Sequence, residues 1–306
     1  FAKLATAMAL ARYLDTPQVR FNTMKQRLIA FAIVGLPLFI VLMQGDAGSA
    51  LVFLSFIMVF NREGLSNWFI YLGLYVVGIS LLALSFDKFM LIGAVVILFS
   101  IVLTYIYVVL PRERTIVAVI VGLMLVSIGY IVAVDSAFHS ILKQHQQDRI
   151  NIIIGKLEDK KGVGYNLEQS KIAIGSGGPL GKGWLQGTQT RYDFVPEMST
   201  DFIFCSIGEE WGYIGSLVLI GLYVILLQRL ISIANRQRTT YARVYIFSIT
   251  SIIFMHFFIN IGMTIGLLPV IGIPLPFISY GGSSLVSFSV MLAIAVKLDS
   301  ERLMTA

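Results

Sequence analysis

Asp201 opens an apolar run directly after Ser199 and Thr200, beneath a polar stretch rich in glycine, and it is the first residue to ask for a chemical role. Pro196, Ser199 and Thr200 form a helix-start signature, which places Asp201 near a first turn where the helix dipole favours a carboxylate. A capping acid is therefore one reading. The other rests on the small residues Cys205, Gly208, Gly212 and Gly215, which recur below it at helical spacing. That stripe suits close helix packing and turns Asp201 toward protein rather than lipid, where an acid is functional by default. Glu209 and Glu210 follow two turns deeper, where charge is expensive, and read equally as a buried ion network or as chemistry. Asp46, in Gln44-Gly45-Asp46-Ala47-Gly48-Ser49, stands at another helix start, and capping is its plain account.

The glycine-rich stretch carries Gly175, Gly177, Gly178, Gly181, Gly183 and Gly187 with Lys171 and Lys182. It fails as a nucleotide loop, since Ser176 stands where the first glycine is required and Gly183 follows Lys182 in place of Ser or Thr. Its amides and lysines suit an anionic group such as a pyrophosphate, or the stretch is a plain lid. Lys3 reads as a snorkelling residue or as a further cation. The lone Cys205 excludes an internal disulfide, and His139, His145 and His256 lack metal-ligand spacing.

The elements that must position these groups are greasy. The chain is 57% hydrophobic and 13% charged, with mean hydropathy +0.83, against about 25% charge in a soluble domain. Its apolar runs are continuous rather than alternating, which excludes a β-barrel and leaves an all-α polytopic membrane protein, a bundle of transmembrane helices. A short helix over 1–14 precedes apolar runs at 26–43, 48–60, 66–85, 89–110, 115–134, 202–228, 244–267 and 283–296. The runs 48–60 and 283–296 are short for a span and are expected to extend into flanking residues or to thin the bilayer.

Threaded alternately, the runs gather Arg12, Arg20, Lys25, Arg27, Arg62, Arg112, Arg114, Arg229, Arg236, Arg238, Arg243, Lys297 and Arg302 on one side. The other side keeps only Lys3 and Lys88 in its short connections. The positive-inside rule puts the first set in the cytoplasm and segment 135–200 outside, as one large extracytoplasmic loop. The outer connection from Leu268 to Ser284 is dense in Pro and Gly, so it is a re-entrant-like lip of a cavity rather than a helix. The net charge of +6 then reports sidedness and not nucleic acid, which is not expected as a partner. The chain begins at Phe1 without an initiator Met and is read as a truncated piece, a single transmembrane domain over 1–306 with its loop inside it.

Several runs are specific. Gln169-Ser-Lys-Ile-Ala-Ile-Gly-Ser-Gly-Gly178, Gly181-Lys-Gly-Trp-Leu-Gln-Gly-Thr-Gln189, Phe194-Val-Pro-Glu197, Thr200-Asp-Phe-Ile-Phe204 and Glu209-Glu-Trp-Gly-Tyr-Ile-Gly215 resemble the SEDS family (shape, elongation, division and sporulation). Asn260-Ile-Gly-Met263 and Leu268-Pro-Val-Ile-Gly-Ile-Pro-Leu-Pro-Phe-Ile-Ser-Tyr-Gly-Gly-Ser283 match as well. Phe1-Ala-Lys-Leu-Ala5 is similar to the family's Pro-Ser-Glu-Phe-Ala-Lys-Leu segment, cut after its glutamate. The large loop resembles that of the elongation member more than that of the division member. Gln44 to Ser49 departs from the family's Gln-Pro-Asp-Leu-Gly-Thr motif, and three apolar runs stand where the family has one span before the large loop.

The resemblance implies a peptidoglycan glycosyltransferase of the bacterial cytoplasmic (inner) membrane, multi-pass, with its active face extracytoplasmic. It would polymerise lipid II onto a growing glycan strand beside a class B penicillin-binding protein. The family's essential aspartate falls on Asp201, the expected general base, and its lysine on Lys3. Substrate contacts are expected from Lys3, Lys171, Gly177, Gly178, Lys182, Glu209, Ser279 and Gly281. A divalent cation, Mg or Mn, is a candidate aid to the leaving pyrophosphate, and no organic cofactor is expected. The rival functions are a lipid II flippase and a non-catalytic scaffold for the penicillin-binding protein. An acid and a glycine loop confined to one face favour the enzyme, because a transporter needs groups along its whole path.

Overall fold

A computed structural model describes residues 1–16, 23–109, 114–140, 144, 147–148, 151, 163–192, 194 and 198–304. Arg20, Arg112, His145, residues 158–161 and residues 195–197 lie outside them. The described residues are helical, and no strand occurs among them. The chain divides into two compact units, Phe1–Asn67 with Asp159–Ala306, and Trp68–Glu158.

In the first unit α1 (Ala2–Leu14), α2 (Met24–Met43), α3 (Ala47–Phe53) and α4 (Phe56–Arg62) precede the large insertion. After it come α8 (Val163–Ser176), α9 (Thr188–Arg191), α10 (Ile203–Asn235), α11 (Thr240–Thr264) and α12 (Gly282–Met304). Helix α11 is the axis of the unit and packs against α1, α3, α4, α8, α10 and α12. Val244, Tyr245, Ile246, Ile249, Ile252 and Ile253 are all fully buried, as befits a helix that is apolar around its whole circumference. By contrast only Ala30 and Val34 of α2 are buried, so most of this helix's surface is left uncovered by the rest of the unit. The ion pairs Arg236 with Asp299 and Arg243 with Glu63 tie elements together at the arginine-rich end.

The second unit packs α5 (Trp68–Ser85), α6 (Lys88–Val109) and α7 (Arg114–Ser140) around Ile79, Ala83, Leu91 and Ile131. Tyr75 Oη meets Ser127 Oγ at 2.6 Å and Ser80 Oγ meets Tyr130 Oη at 2.8 Å. Such pairs satisfy hydroxyls that hydrocarbon cannot. Lys88 and Asp135 close one end at 3.1 Å.

Among the described residues six helices are long and apolar enough to cross a membrane, and 47–62 and 68–84 form shorter apolar helices. This is a multi-pass membrane protein. The run 283–296 does extend, into α12, and the run 48–60 is broken into α3 and α4 at Leu54 and Ser55. Segment 135–200 is less of a loop than its composition suggests. Helix α7 continues to Ser140, and α8 and α9 form within the segment because they find a partner in α10. The connection after α11 is irregular, as its prolines require, with Ile273 and Leu275 buried in protein.

Candidate active site

Helix α10 is 33 residues long, about 50 Å at 1.5 Å per residue, against an apolar core of about 30 Å. It is broken at Gly212, whose φ of 65° and ψ of −159° are not helical. The segment before the break is held by the glycine-rich turn that follows α8. Lys182 N–H donates to the Glu209 carbonyl and Gly183 N–H to the Glu210 carbonyl, both at 3.0 Å. In the other direction Tyr213 N–H donates to Gly178 O at 2.9 Å and Ile214 N–H to Pro179 O at 3.1 Å. The turn thus satisfies backbone groups that the break leaves without helical partners. A β-carbon on Gly181 would sit 2.1 Å from the Glu210 carbonyl oxygen, so glycine is required by contact as well as by its φ of +81°. The small-residue stripe of α10 faces α8 and this turn, with Gly208 against Ile174 and Gly212 against Gly181.

Glu209 is fully buried beneath the turn. Its Oε1 accepts from Lys182 Nζ at 2.8 Å, Gln189 N at 2.9 Å and Thr188 Oγ1 at 3.2 Å. Its Oε2 accepts from Thr190 N at 2.9 Å and Thr190 Oγ1 at 2.6 Å. Both oxygens are occupied by protein donors, so Glu209 and Lys182 serve here to hold α9 onto α10. Gly177 likewise packs on the α10 backbone, where a β-carbon would lie 2.0 Å from Gly208 O. Gly178 has open space around it, Lys171 lays its stem on Gly266, and buried Ser279 accepts from Leu275 N–H at 2.7 Å. Gly281 receives the Ser284 hydroxyl on its carbonyl at 2.9 Å. Of the expected contact residues, Lys3 alone lines the cavity beside Asp201.

Asp201 stands in the turn before α10, whose N-cap position is Phe202. The sequence placed it near the first turn, and the helix begins two residues later, at Ile203. Its backbone and its neighbours are clamped. Asn260 Nδ2 donates to Asp201 O at 2.8 Å and to Ile273 O at 2.7 Å. Tyr280 N–H donates to Ser199 O at 2.8 Å. The half-buried carboxylate lies over Gly272, where a β-carbon would come within 3.1 Å of Oδ2. Gly272 has a φ of +68°, so only glycine both makes the bend and leaves room for the acid.

Gly272 is also part of the wall of a cavity of about 380 Å³ shared with Lys3, Gln44, Asp46, His256 and Ser284. Lys3 Nζ lies 2.9 Å from His256 Nε2. The other ring nitrogen of His256 faces the Pro274 carbonyl at 3.2 Å. A carbonyl only accepts, so Nδ1 carries the proton and Nε2 accepts from the ammonium. Burial brings the Lys3 pKa down to about 8, opposed in part by the negative charge of Asp46. Asp46 itself caps α3, accepting from Ser49 N–H at 2.8 Å, and still borders the cavity. His256 was not singled out by sequence. Its signal was there, four residues before Asn260 on one face of an apolar span.

No group of three or more His, Cys, Asp or Glu suited to a metal ion occurs among the described residues. Among the described lining residues Asp46 is the one carboxylate and Lys3 shares the lining with it, so the lining by itself does not supply the oxygen donors that a divalent cation takes. Any such ion would have to arrive on the phosphates of a ligand.

Residues 58–303 match the model of the cell cycle protein family that takes in FtsW, RodA and SpoVE. The chain is 44% identical over 182 residues to the peptidoglycan glycosyltransferase MrdB of Escherichia coli, covering 58% of this chain and 49% of that one. It is 32% identical over 324 aligned positions to the peptidoglycan glycosyltransferase RodA of Treponema pallidum, covering 99% and 74%. It spans about half the length of the Escherichia coli relative. Its fold is similar, with a TM-score of 0.59 and 24% identity, to a chain of a peptidoglycan synthase complex that coordinates polymerization and crosslinking, covering 98% of this chain and 68% of that one. The family that the motifs around Asp201 pointed to is the one matched, and the chain belongs to the FtsW, RodA and SpoVE family of cell cycle proteins.

Proposed function

We propose that the chain carries the transfer centre of a peptidoglycan glycosyltransferase that polymerises lipid II, with Asp201 as general base. The observation that carries this reading is the pairing of a clamped carboxylate with a cation-bearing cavity across Gly272. A sugar hydroxyl is a poor nucleophile at neutral pH, and a carboxylate within hydrogen-bond reach removes its proton as the new bond forms at the anomeric carbon. The bond from that carbon to the polyprenyl pyrophosphate breaks, and the electron pair leaves with the phosphate. Lys3, held by His256, meets the charge that develops there. A single general base suits inversion at the anomeric centre, by analogy with inverting glycosidases.

The site end of the first unit faces the outside of the bacterial cytoplasmic membrane in this reading, and the arginine-rich end faces the cytoplasm. The lipid tails then stay in the bilayer while the sugars meet above it. A class B penicillin-binding protein is the proposed partner, supported by the fold shared with a chain of a complex that joins polymerization to crosslinking. The test is purified protein with lipid II and no other polymerase. Glycan product supports the enzyme, whereas translocation of lipid II without product supports a transporter and overturns the reading.

A further inference from the structure

Next to the Asp201 turn lies a second cleft of about 410 Å³, bordered by Trp184, Thr190, Ser199, Ser206, Glu210 and Trp211. Trp184 and Trp211 meet edge to face with ring centroids 6.2 Å apart, and they remain 67% and 54% exposed. Glu210 is only 7% exposed, and among the described residues its carboxylate forms no hydrogen bond or ion pair. Its neighbour Glu209 is the opposite case, with both oxygens occupied by protein donors. The Glu210 oxygens are not among the buried atoms left without a partner, so the carboxylate opens onto the cleft and can accept from what enters it.

Interfacial indoles commonly anchor a membrane protein at the headgroup level, but anchoring gives no reason for an unpartnered acid beside them. The combination of flat apolar rings, a carboxylate and three hydroxyls matches one chemistry well. A pyranose presents C–H faces that pack on indole and hydroxyls that donate to a carboxylate. A hydrocarbon tail would leave Glu210 unmet.

We propose that this cleft is a saccharide subsite that holds the acceptor sugars, with the donor's pyrophosphate in the lysine cavity and Asp201 between the two. The proposal rests on the glycosyl-transfer reading above and adds a division of labour to it. Ser199 and Ile203, on either side of Asp201, border the cleft, and Gly272, against which the Asp201 carboxylate lies, borders the lysine cavity. In this proposal a base between the two takes the proton of a hydroxyl presented from the cleft as the bond forms to an anomeric carbon presented from the cavity. The Gly181-Lys182-Gly183-Trp184 run takes on a role here that the base and the cation do not give it. Its glycines lock the turn into the break of α10, and this brings Trp184 beside Trp211.

The test is a fluorescence titration of the purified full chain in nanodiscs, on a Trp68→Phe background so that Trp184 and Trp211 report. The probe is a soluble tetrasaccharide of β-1,4-linked N-acetylglucosamine. A saturable response is expected, weakened about tenfold by Glu210→Gln, which removes a charge-assisted acceptor, and similarly by Trp211→Leu. Trp184→Phe, which keeps an aromatic face, should weaken it less. A flat titration, or one indifferent to these substitutions, overturns the assignment. A tighter response to farnesyl phosphate or to cadaverine would assign the cleft to a lipid tail or an amine and overturns it too. If the chain polymerises lipid II but the titration is flat, the subsite falls and the glycosyl-transfer reading stands. A saturable, substitution-sensitive titration without polymer leaves the subsite and removes that reading.

Discussion

Glu209 and Asp201 stand eight positions apart at one end of the same helix, and the protein treats them oppositely. Glu209 is fully buried, with Lys182, Gln189, Thr188 and Thr190 on its oxygens. Asp201 is half-buried, has its backbone held by Asn260, and turns its carboxylate to the thin wall at Gly272. Both are acids at the mouth of an apolar helix beneath a glycine-rich turn, so residue type and spacing do not separate them. The surroundings do. An acid wrapped in protein donors fastens elements together, whereas an acid fixed through its main chain beside a cavity can act on what enters.

The sharpest way to break this contrast is Asp201→Asn. Asparagine keeps the volume but cannot take the proton, so turnover should drop by about 10²–10⁴-fold, the usual worth of a general base. Thermal stability should barely move. A helix-capping role would predict that turnover survives as well, because asparagine caps about as well as aspartate. Glu209→Ala should instead appear in the melting curve, with a loss of about 1–3 kcal/mol. The lower part of that range is favoured because Lys182 is part-exposed and rehydrates. Limited proteolysis should then cut between residues 180 and 192 faster than in the wild type. Unchanged melting and unchanged cleavage would show that the buried network holds nothing.

Asn260 gives a middle case, since it acts on Asp201 only through the main chain. Asn260→Ala removes one amide from two buried carbonyls, and turnover should fall roughly tenfold by loss of positioning. Asn260→Asp should not rescue it, because an ionised carboxylate only accepts. Rescue by aspartate would mean that the clamp is not what matters. The smallest expected effect is in the pH profile. Lys3 is charged below its depressed pKa of about 8, so support for the leaving group is full at lower pH and is lost as pH rises through 8. Lys3→Arg, which stays charged, should carry activity further into the alkaline range if it fits beside His256. An alkaline limb that is identical in both proteins would detach Lys3 from the leaving group.

The long apolar helices were legible from hydropathy alone, since each apolar run is a local property of the chain, whereas α8 and α9 and the break within 48–60 were not. Asp201 was legible too, because a charge at the start of such a run is rare enough to stand out. What escaped sequence depends on residues far apart. Gly212 read as one more small packing residue, and its left-handed conformation arises only because 178–183 fits into the break it makes. The pairing of Lys3 with His256 joins residues 253 positions apart. Glu209 and Glu210 were indistinguishable as a pair, and only the fold gives one of them five donors and leaves the other facing a cleft.

The most direct measurement sets three purified proteins side by side with lipid II in the absence of other polymerases: the wild type, Asp201→Asn and Glu209→Gln. Initial rates are normalised to the folded fraction from melting curves. The account predicts glycan strands from the wild type, a rate within about tenfold of it from folded Glu209→Gln, and a rate about 10²–10⁴-fold lower from fully folded Asp201→Asn. A near wild-type rate from Asp201→Asn, or a loss in Glu209→Gln that equals or exceeds it, would contradict the assignment of chemistry to Asp201.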